Sequence, residues 1–224
     1  YIISQCKEVD KALFYLNETV ENGWSRAVLL NFLDTNLYER QGKAVNNFSR
    51  LLPKPQSDLA LQTLKDPYNF DFLTITKDFQ ELELEKVLTQ NITRFLLELG
   101  KGFAFVGRQM PLEVGDETIY PDLLFYHLEL RCYCVIELKV QKFKPEFIGQ
   151  LGTYISAVNH LKCKPGDNPT IGLLICKTKN QVMVQYALES TNQPIGISEY
   201  ELSKLIPEDI KSQLPSIEEI EEQV

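Results

Sequence analysis

Two carboxylates and a lysine lie close together in the sequence, at Asp122, Glu137 and Lys139. Glu137 and Lys139 are two residues apart in the apolar run "CVIELKV", so in an extended strand both emerge from one face. Adjacent carboxylates repel each other, and a divalent cation such as magnesium, which prefers oxygen ligands, relieves that repulsion. A lysine beside the cation can orient or deprotonate a water molecule and stabilise charge on a phosphate. These residue types therefore predict phosphodiester hydrolysis.

The runs "IYPDLLFY" and "RCYCVIELK" predict two strands of one hairpin. A turn around Glu129 and Leu130 sets Asp122 directly across from Glu137, with Lys139 on the same face. An unpaired carboxylate inside an apolar strand costs several kcal/mol, so such an acid has a partner or a metal. A structural salt bridge between Asp122 and Lys139 is the alternative to a metal pocket.

The apolar spacing of residues 1–76 predicts a small all-helical N-terminal domain. We expect this domain to contribute DNA binding or assembly. In this domain Gly23 ends the first helix and Ser25 is the N-cap of the second. The following segment, "KDFQELELEKVLTQNITRFLLELGKGF", predicts one long core helix. A strand and turn at "FAFVGRQMPLEVG", the hairpin, and an alternation of helices and strands complete residues 77–206. We predict an α/β (α+β) fold, with a mixed sheet flanked by helices.

The charge distribution indicates which partners the protein can have, and the cysteine content indicates its cellular compartment. The formal net charge is −8, and residues 207–224 form an acidic tail with six acids and one base. Between Trp24 and Lys54, five bases stand against two acids, a modest positive segment far from the strongly basic footprint of many nucleic-acid-binding proteins. The five cysteines are scattered and odd in number, and no apolar run approaches membrane-spanning length. We expect a cytoplasmic protein without a membrane partner.

Residues Pro121 and Asp122, fourteen intervening residues, and "ELK" at residues 137–139 match the PD-(D/E)xK motif of the restriction-endonuclease-like nuclease superfamily. The surrounding sequence resembles the YhcG family over nearly the whole chain, in "GWSRAVL", "LPKPQSDLA", "KDPYNFDFL", "FLLELGKGFAFVGRQ", "DLLFYH", "CYCVIELK", "FKPEFIGQLGTY" and "NPTIGLLICK". Members of that family have a helical N-terminal domain and a PD-(D/E)xK nuclease domain. The resemblance implies a restriction-endonuclease-like fold that uses Mg²⁺ or Mn²⁺.

The resemblance also implies roles for individual residues. Asp122 and Glu137 would bind the metal, and Lys139 would assist the nucleophilic water. Gln150, followed one helical turn later by Tyr154, resembles a QxxxY element of several such nucleases; a surface amide that bridges a turn is the alternative. The superfamily often places a glutamate on its first core helix, facing the site. Glu85 is our choice, with Glu81 as the second, and a solvated acidic helix face is the alternative.

Further polar residues are candidates for contact with nucleic acid. Lys142 and Lys144 could meet phosphates at the site entrance; a simply solvated lysine-rich loop is the alternative. Arg108 and Gln109, which follow the "FAFVG" strand, could face nucleic acid, as could Tyr154. The overall expectation is a metal-dependent nuclease that hydrolyses DNA, linked to restriction or mobile-element defence, with RNA as a second substrate class and a homodimer as the expected assembly. The alternative is a catalytically silent nuclease-fold module that binds partners in a restriction-modification or defence complex.

Overall fold

The computed structural model describes residues 2–76, 79–202 and 205–206. Its helices are α1 (Ile2–Gln5), α2 (Val9–Asn22), α3 (Arg26–Asp34), α4 (Leu37–Arg40), α5 (Phe48–Leu51), α6 (Gln56–Thr63), α7 (Glu81–Gln90), α8 (Ile92–Leu99), α9 (Glu146–Leu161) and α10 (Gln181–Glu189). Its strands are β1 (Val45–Asn46), β2 (Tyr68–Asn69), β3 (Ile75–Thr76), β4 (Phe103–Arg108), β5 (Leu112–Val114), β6 (Glu117–Ile119), β7 (Leu123–His127), β8 (Cys132–Lys142), β9 (Ile171–Thr178), β10 (Ile195–Glu201) and β11 (Leu205–Ile206). The acidic tail, residues 207–224, lies outside the described residues.

Within the described ranges, a seven-stranded central sheet has the order β1-β10-β9-β8-β7-β4, with β2 also paired to β10. The pairs β8–β9 and β9–β10 are parallel, whereas β4–β7 and β7–β8 are antiparallel. Helices α7 and α8 pack on one face of this sheet, and α9 and α10 pack on the other. The predicted mixed sheet flanked by helices is therefore confirmed. Among the described helices, none combines the length and the apolar composition that a membrane crossing requires.

The segment predicted as one long core helix is two helices, so that prediction is wrong. The backbone breaks at Asn91, whose φ of −102° and ψ of 33° end α7 and precede α8. The Asn91 side chain donates a hydrogen bond to the Val87 carbonyl, a local bond of the kind that competes with helix continuation. Leu88 and Phe95, on either side of the break, belong to one core cluster. The apolar stripe therefore continues although the helix does not.

A short hairpin, β5–β6, lies between β4 and β7, where the sequence predicted only a strand and turn. Its turn uses Gly115 at a φ of 66°, a conformation that glycine adopts without strain. The two ends of the connection are tied together, because the Gln109 N–H donates to the Asp122 carbonyl at 3.0 Å. The hairpin thus projects from the segment that carries two predicted site residues.

Helices α1 to α4 share a small core of their own, made by Ile2, Cys6, Tyr15, Phe32 and Leu37. Gly23, in the left-handed region, ends α2, and the Ser25 hydroxyl accepts a bond from the α3 backbone, both as predicted. The chain then enters the central sheet, because β1 and β2 both pair with β10. The core of the sheet therefore includes residues before position 77, and the domain boundary at residue 76 stays a prediction.

The buried His127 predicts a stability that falls in acid. Its Nδ1 accepts the Leu130 N–H at 3.2 Å, its Nε2 has no hydrogen-bond partner, and burial lowers its pKa to about 4. The unfolded chain, with an ordinary histidine pKa near 6.5, binds the proton more readily than the fold does. Stability that is complete above pH 6.5 should therefore fall by about 3 kcal/mol as the pH drops to 4.

Chemical denaturation of the wild type, His127→Asn and His160→Asn across this pH range measures the effect. His160 is exposed, and the chain contains only these two histidines, so His160→Asn is a matched control. We expect the slope of unfolding free energy against pH to flatten in His127→Asn alone. An unchanged slope in that variant would contradict the assignment.

Candidate active site

The hairpin of β7 and β8 has the register predicted from the sequence. Leu123 pairs with Ile136 and Leu124 with Val135, so Asp122, just before β7, is opposite Glu137. The Asp122 N–H donates to Glu137 Oε1 at 3.1 Å, and the Leu138 N–H donates to Asp122 Oδ2 at 2.9 Å. Each carboxylate is thus oriented by the backbone of the opposite strand.

Strand alternation explains why charged side chains stand in the middle of the protein. Ile136 and Leu138 point into the core beneath α7 and α8, so Glu137 and Lys139 point to the other face, toward α9. Both are buried, with 1% of Glu137 and 6% of Lys139 exposed. The Lys139 ammonium lies 5.5 Å from the centroid of the Phe147 ring on α9. The predicted trio therefore shares one buried face of the sheet.

Lys139 pairs with two glutamates rather than with Asp122. Its Nζ donates to Glu81 Oε2 at 3.2 Å and lies 3.5 Å from Glu137 Oε2. Asp122 has other partners, the Leu138 N–H and the Gln109 amide, which donates to Asp122 Oδ1 at 3.2 Å. The proposed Asp122–Lys139 salt bridge is therefore replaced by a lysine that bridges α7 and β8.

Glu85, the residue chosen from the first core helix, does reach the site. It is 1% exposed, and its Oε2 accepts a 2.6 Å hydrogen bond from Gln109. The same amide contacts Asp122, so Gln109 stands between two carboxylates. Arg108 forms an ion pair with Glu85 at 3.2 Å while its own side chain is 36% exposed. Gln109 thus faces inward to the acids, and Arg108 stands between the site and solvent.

The carboxyl groups of the site resist ionisation. Burial, followed by repulsion from Asp122, raises the pKa of Glu137 to about 8, although Lys139 partly offsets the shift. Burial also raises the pKa of Asp122 and of Glu85. Burial alone would lower the pKa of Lys139, but Glu137, Glu81 and Asp122 outweigh it and raise the pKa. The site holds four carboxyl groups, those of Glu81, Glu85, Asp122 and Glu137, but only two basic side chains, Lys139 and Arg108, which favours an added cation.

The donor set fits a hard divalent cation. Glu137 Oε2 is buried without a hydrogen bond, as is Glu85 Oε1 beside its ion pair with Arg108. Among the described residues, no three His, Cys, Asp or Glu side chains are grouped to hold a metal. Magnesium does not require such a group, because it binds through one or two carboxylates and completes its shell with water and substrate phosphate. Asp122 and Glu137 are the pair that fits this requirement.

The remaining predicted residues lie on α9 or at its approach. Gln150 donates a 3.0 Å hydrogen bond to the Tyr154 hydroxyl. Burial raises the pKa of Tyr154, and Glu137 and Asp122 raise it further, so this phenol faces the acidic site. Lys142 is exposed at the end of β8, and Lys144 pairs with Glu146 at 3.6 Å on the surface. The roles of these four residues stay predictions.

Sequence reasoning missed Phe147 and placed Glu81 only second. The Phe147 ring lies near both Lys139, at 5.5 Å, and Lys144, at 6.0 Å. An aromatic residue in the first turn of a helix that follows a lysine-rich loop was the available signal. Glu81 and Glu85 are one helical turn apart, and both reach the site. Glu81 accepts a hydrogen bond from Lys139, and Glu85 accepts one from the Gln109 amide.

The bridge made by Gln109 predicts a loss of stability when it is removed. Gln109→Leu leaves the Glu85 and Asp122 oxygens facing each other without a donor, and we expect the unfolding free energy to fall by about 1–3 kcal/mol. Gln109 has a φ of 45°, which asparagine tolerates better than leucine does. Gln109→Asn therefore distinguishes the loss of the hydrogen bonds from backbone strain at this φ. Its shorter amide cannot reach both acids, so we expect it to lose stability as well, although its backbone is not strained. Stabilisation by Gln109→Asn in denaturation curves would contradict the bridge.

Comparison with known proteins yields a family match and a curated relative. The YhcG PDDEXK nuclease domain family matches residues 61–215. A protein of Escherichia coli (strain K12), "Putative nuclease YhcG", is 35% identical over 199 residues, which is 88% of this chain and 53% of that protein. The chain thus spans about half the length of this relative. The match confirms the resemblance inferred from the sequence.

Solved structures with a similar arrangement are more distant. A repair endonuclease from Pyrococcus abyssi is 16% identical, with a TM-score of 0.38 over 58% of this chain and 50% of its own. An EndoMS–dsDNA complex is 14% identical, with a TM-score of 0.38 over 64% of this chain and 51% of its own.

Proposed function

Because the chain belongs to the YhcG PDDEXK nuclease domain family, we propose that it is a metal-dependent nuclease that hydrolyses DNA phosphodiester bonds. One observation carries the proposal. Asp122 and Glu137 lie side by side with a buried Glu137 oxygen free of hydrogen bonds, and the Lys139 ammonium is 3.5 Å from that oxygen. Two acids and a lysine in this arrangement supply what phosphodiester hydrolysis needs.

Each residue of the site has a separate task in this proposal. Asp122 and Glu137 would hold the divalent cation, whose chemistry is to polarise the phosphate and to lower the pKa of a bound water. Lys139 would orient that water and stabilise the charge that builds on the phosphate oxygens. Gln109 keeps Asp122 and Glu85 from repelling each other.

Substrate contact is proposed for the exposed groups around these acids. Arg108 would meet a backbone phosphate, because its guanidinium is partly exposed although it is paired with Glu85. Lys142 and Lys144, both exposed, would add phosphate contacts at the entrance, and Tyr154 with Gln150 would line the site on the α9 side. Such contacts hold the nucleic acid in register but read no sequence. RNA as substrate, a homodimer, and a role in restriction or mobile-element defence stay predictions from the resemblance.

Cleavage of plasmid and branched DNA tests the proposal. Wild-type protein and Glu137→Gln are incubated with magnesium, with manganese, or with a chelator. We expect nicked and linear products from the wild type only when metal is present, and no products above background from Glu137→Gln. Equal activity in both proteins would reveal a contaminating nuclease and would contradict the proposed nuclease function.

A binding or assembly module without catalysis is the second candidate function. The observation that favours it is the formal net charge of −8, which differs from the strongly basic footprint of many nucleic-acid-binding proteins. This candidate requires that neither magnesium nor manganese binds the wild type at millimolar concentration, as measured by calorimetry. Binding that is lost in Glu137→Gln would exclude it in favour of the nuclease.

A further inference from the structure

Glu81, on the first turn of α7, is the only residue whose described side chain accepts a hydrogen bond from Lys139. The distance to Glu81 Oε2 is 3.2 Å, and the distance to Glu137 Oε2 is 3.5 Å without a hydrogen bond. The ammonium thus lies between two carboxylates but is directed to the one on the helix. Glu137 Oε2 is therefore ion-paired with Lys139 but accepts no hydrogen bond.

The position of Glu81 is fixed by the packing of α7. Leu84 and Leu88 on this helix are fully buried in the core, and Glu85 is tied to Gln109. The Glu81 side chain is 35% exposed, whereas the Lys139 side chain is only 8% exposed. The Glu81 carboxylate therefore lies between solvent and the buried ammonium group. A buried lysine side chain has several rotatable bonds, and a fixed anionic partner selects one of their arrangements.

We propose that Glu81 is a positioning residue, which draws the Lys139 ammonium toward α7, keeps its ion pair with Glu137 at 3.5 Å without a hydrogen bond, and so leaves Glu137 Oε2 open to a divalent cation. This inference rests on the proposed function and assigns a separate task within the same site. Without Glu81, Lys139 has Glu137 Oε2 as its nearest anionic partner. The existing 3.5 Å ion pair would then shorten to a hydrogen bond on the oxygen that the cation needs, and the lysine would leave its working position.

Manganese binding, measured by calorimetry, tests the inference without reference to cleavage. In Glu81→Leu we expect the affinity to fall by about 10-fold, a coupling typical of residues in contact. In Lys139→Met no lysine competes, so adding Glu81→Leu to Lys139→Met should change the affinity no further. Glu189→Leu, which removes an exposed acid from α10, is the control and should bind as the wild type does.

Three results would overturn the inference. Unchanged affinity in Glu81→Leu shows that the lysine does not depend on this glutamate. An equal loss in the Lys139→Met background shows that Glu81 acts directly on the cation, by charge or as a ligand. A loss in Glu189→Leu of the same size shows that only net charge matters. If Glu81→Leu does not fold, Glu81→Gln replaces it, with a smaller expected loss and the same dependence on Lys139.

Cleavage kinetics provide a second measurement of the role of Glu81. Glu81→Leu should lower kcat by about 10- to 100-fold at saturating metal, as expected for a misplaced catalytic group, and should leave the KM for DNA unchanged. A rise in KM with unchanged kcat would assign Glu81 to DNA binding and overturn the inference. If the wild type neither binds manganese nor cuts DNA, the proposed function itself fails. If the wild type does both and Glu81→Leu matches it, only the inference fails.

Discussion

Replacing Lys139 with methionine is expected to lower the rate of DNA cleavage by about 10²- to 10⁴-fold, the range typical of a positioned acid–base group. Methionine has a similar length, but it lacks the ammonium group and the cation–π contact that this group makes with the Phe147 ring. The loss should therefore fall on the chemical step. Single-turnover cleavage with saturating metal and excess protein measures this step separately from product release.

Lys164→Met is the matched control for this experiment, because Lys164 is an exposed lysine in the loop after α9. It should cleave at the wild-type rate. Thermal unfolding of both variants identifies any loss that comes from unfolding. A folded Lys139→Met protein that cuts DNA as fast as the wild type would remove Lys139 from the mechanism.

Removing the carboxylate of Glu98 is expected to cause the largest loss of stability. Arg40 Nη1 lies 2.6 Å from Glu98 Oε1, and both side chains are at most 6% exposed. Lys65, also buried, donates to the Glu98 carbonyl. Glu98→Gln leaves the buried arginine without its counter-charge, which should cost about 3–5 kcal/mol. For a chain of this size, the melting temperature should fall by about 6–20 °C.

The double variant Arg40→Met/Glu98→Leu distinguishes an unpaired charge from a lost contact. Replacing both partners with apolar residues of similar volume is often neutral, so the double variant should recover most of the lost stability. Glu21→Gln, at an exposed position on α2, should melt as the wild type does. If Glu98→Gln also melts within 2 °C of the wild type, about the shift from 1 kcal/mol at this chain length, the pair does not stabilise the fold.

The register of the central hairpin could be predicted because two local signals agree. The alternation in "CVIELKV" assigns Glu137 and Lys139 to one face, and the short turn around Glu129 and Leu130 leaves one way to pair the strands. The pairing of Asp122 with Glu137 could therefore be predicted from the hairpin sequence alone. The later helices and strands followed from periodicity in the same way.

Features that depend on distant contacts could not be predicted. Glu98 looks like any acid on a helix, and its burial depends on Arg40, which lies far away in the sequence. The break at Asn91 interrupts an apolar stripe that continues on both sides. Strands β5 and β6 of the short hairpin have only three residues each, which is too short for alternation to indicate a strand. Glu81 and Glu85 were both candidates, and only the packing of α7 assigns one to the lysine and the other to Gln109.

A crystal soaked in manganese tests the central claim most directly. The anomalous signal locates the cation without reference to any assay. We expect a peak about 2.1 Å from one oxygen of Asp122 and one of Glu137, the distance at which a small divalent cation binds a carboxylate. The same soak of Glu137→Gln should show no peak. A wild-type crystal without density between these two carboxylates, from a preparation that cuts DNA, would contradict the proposed site.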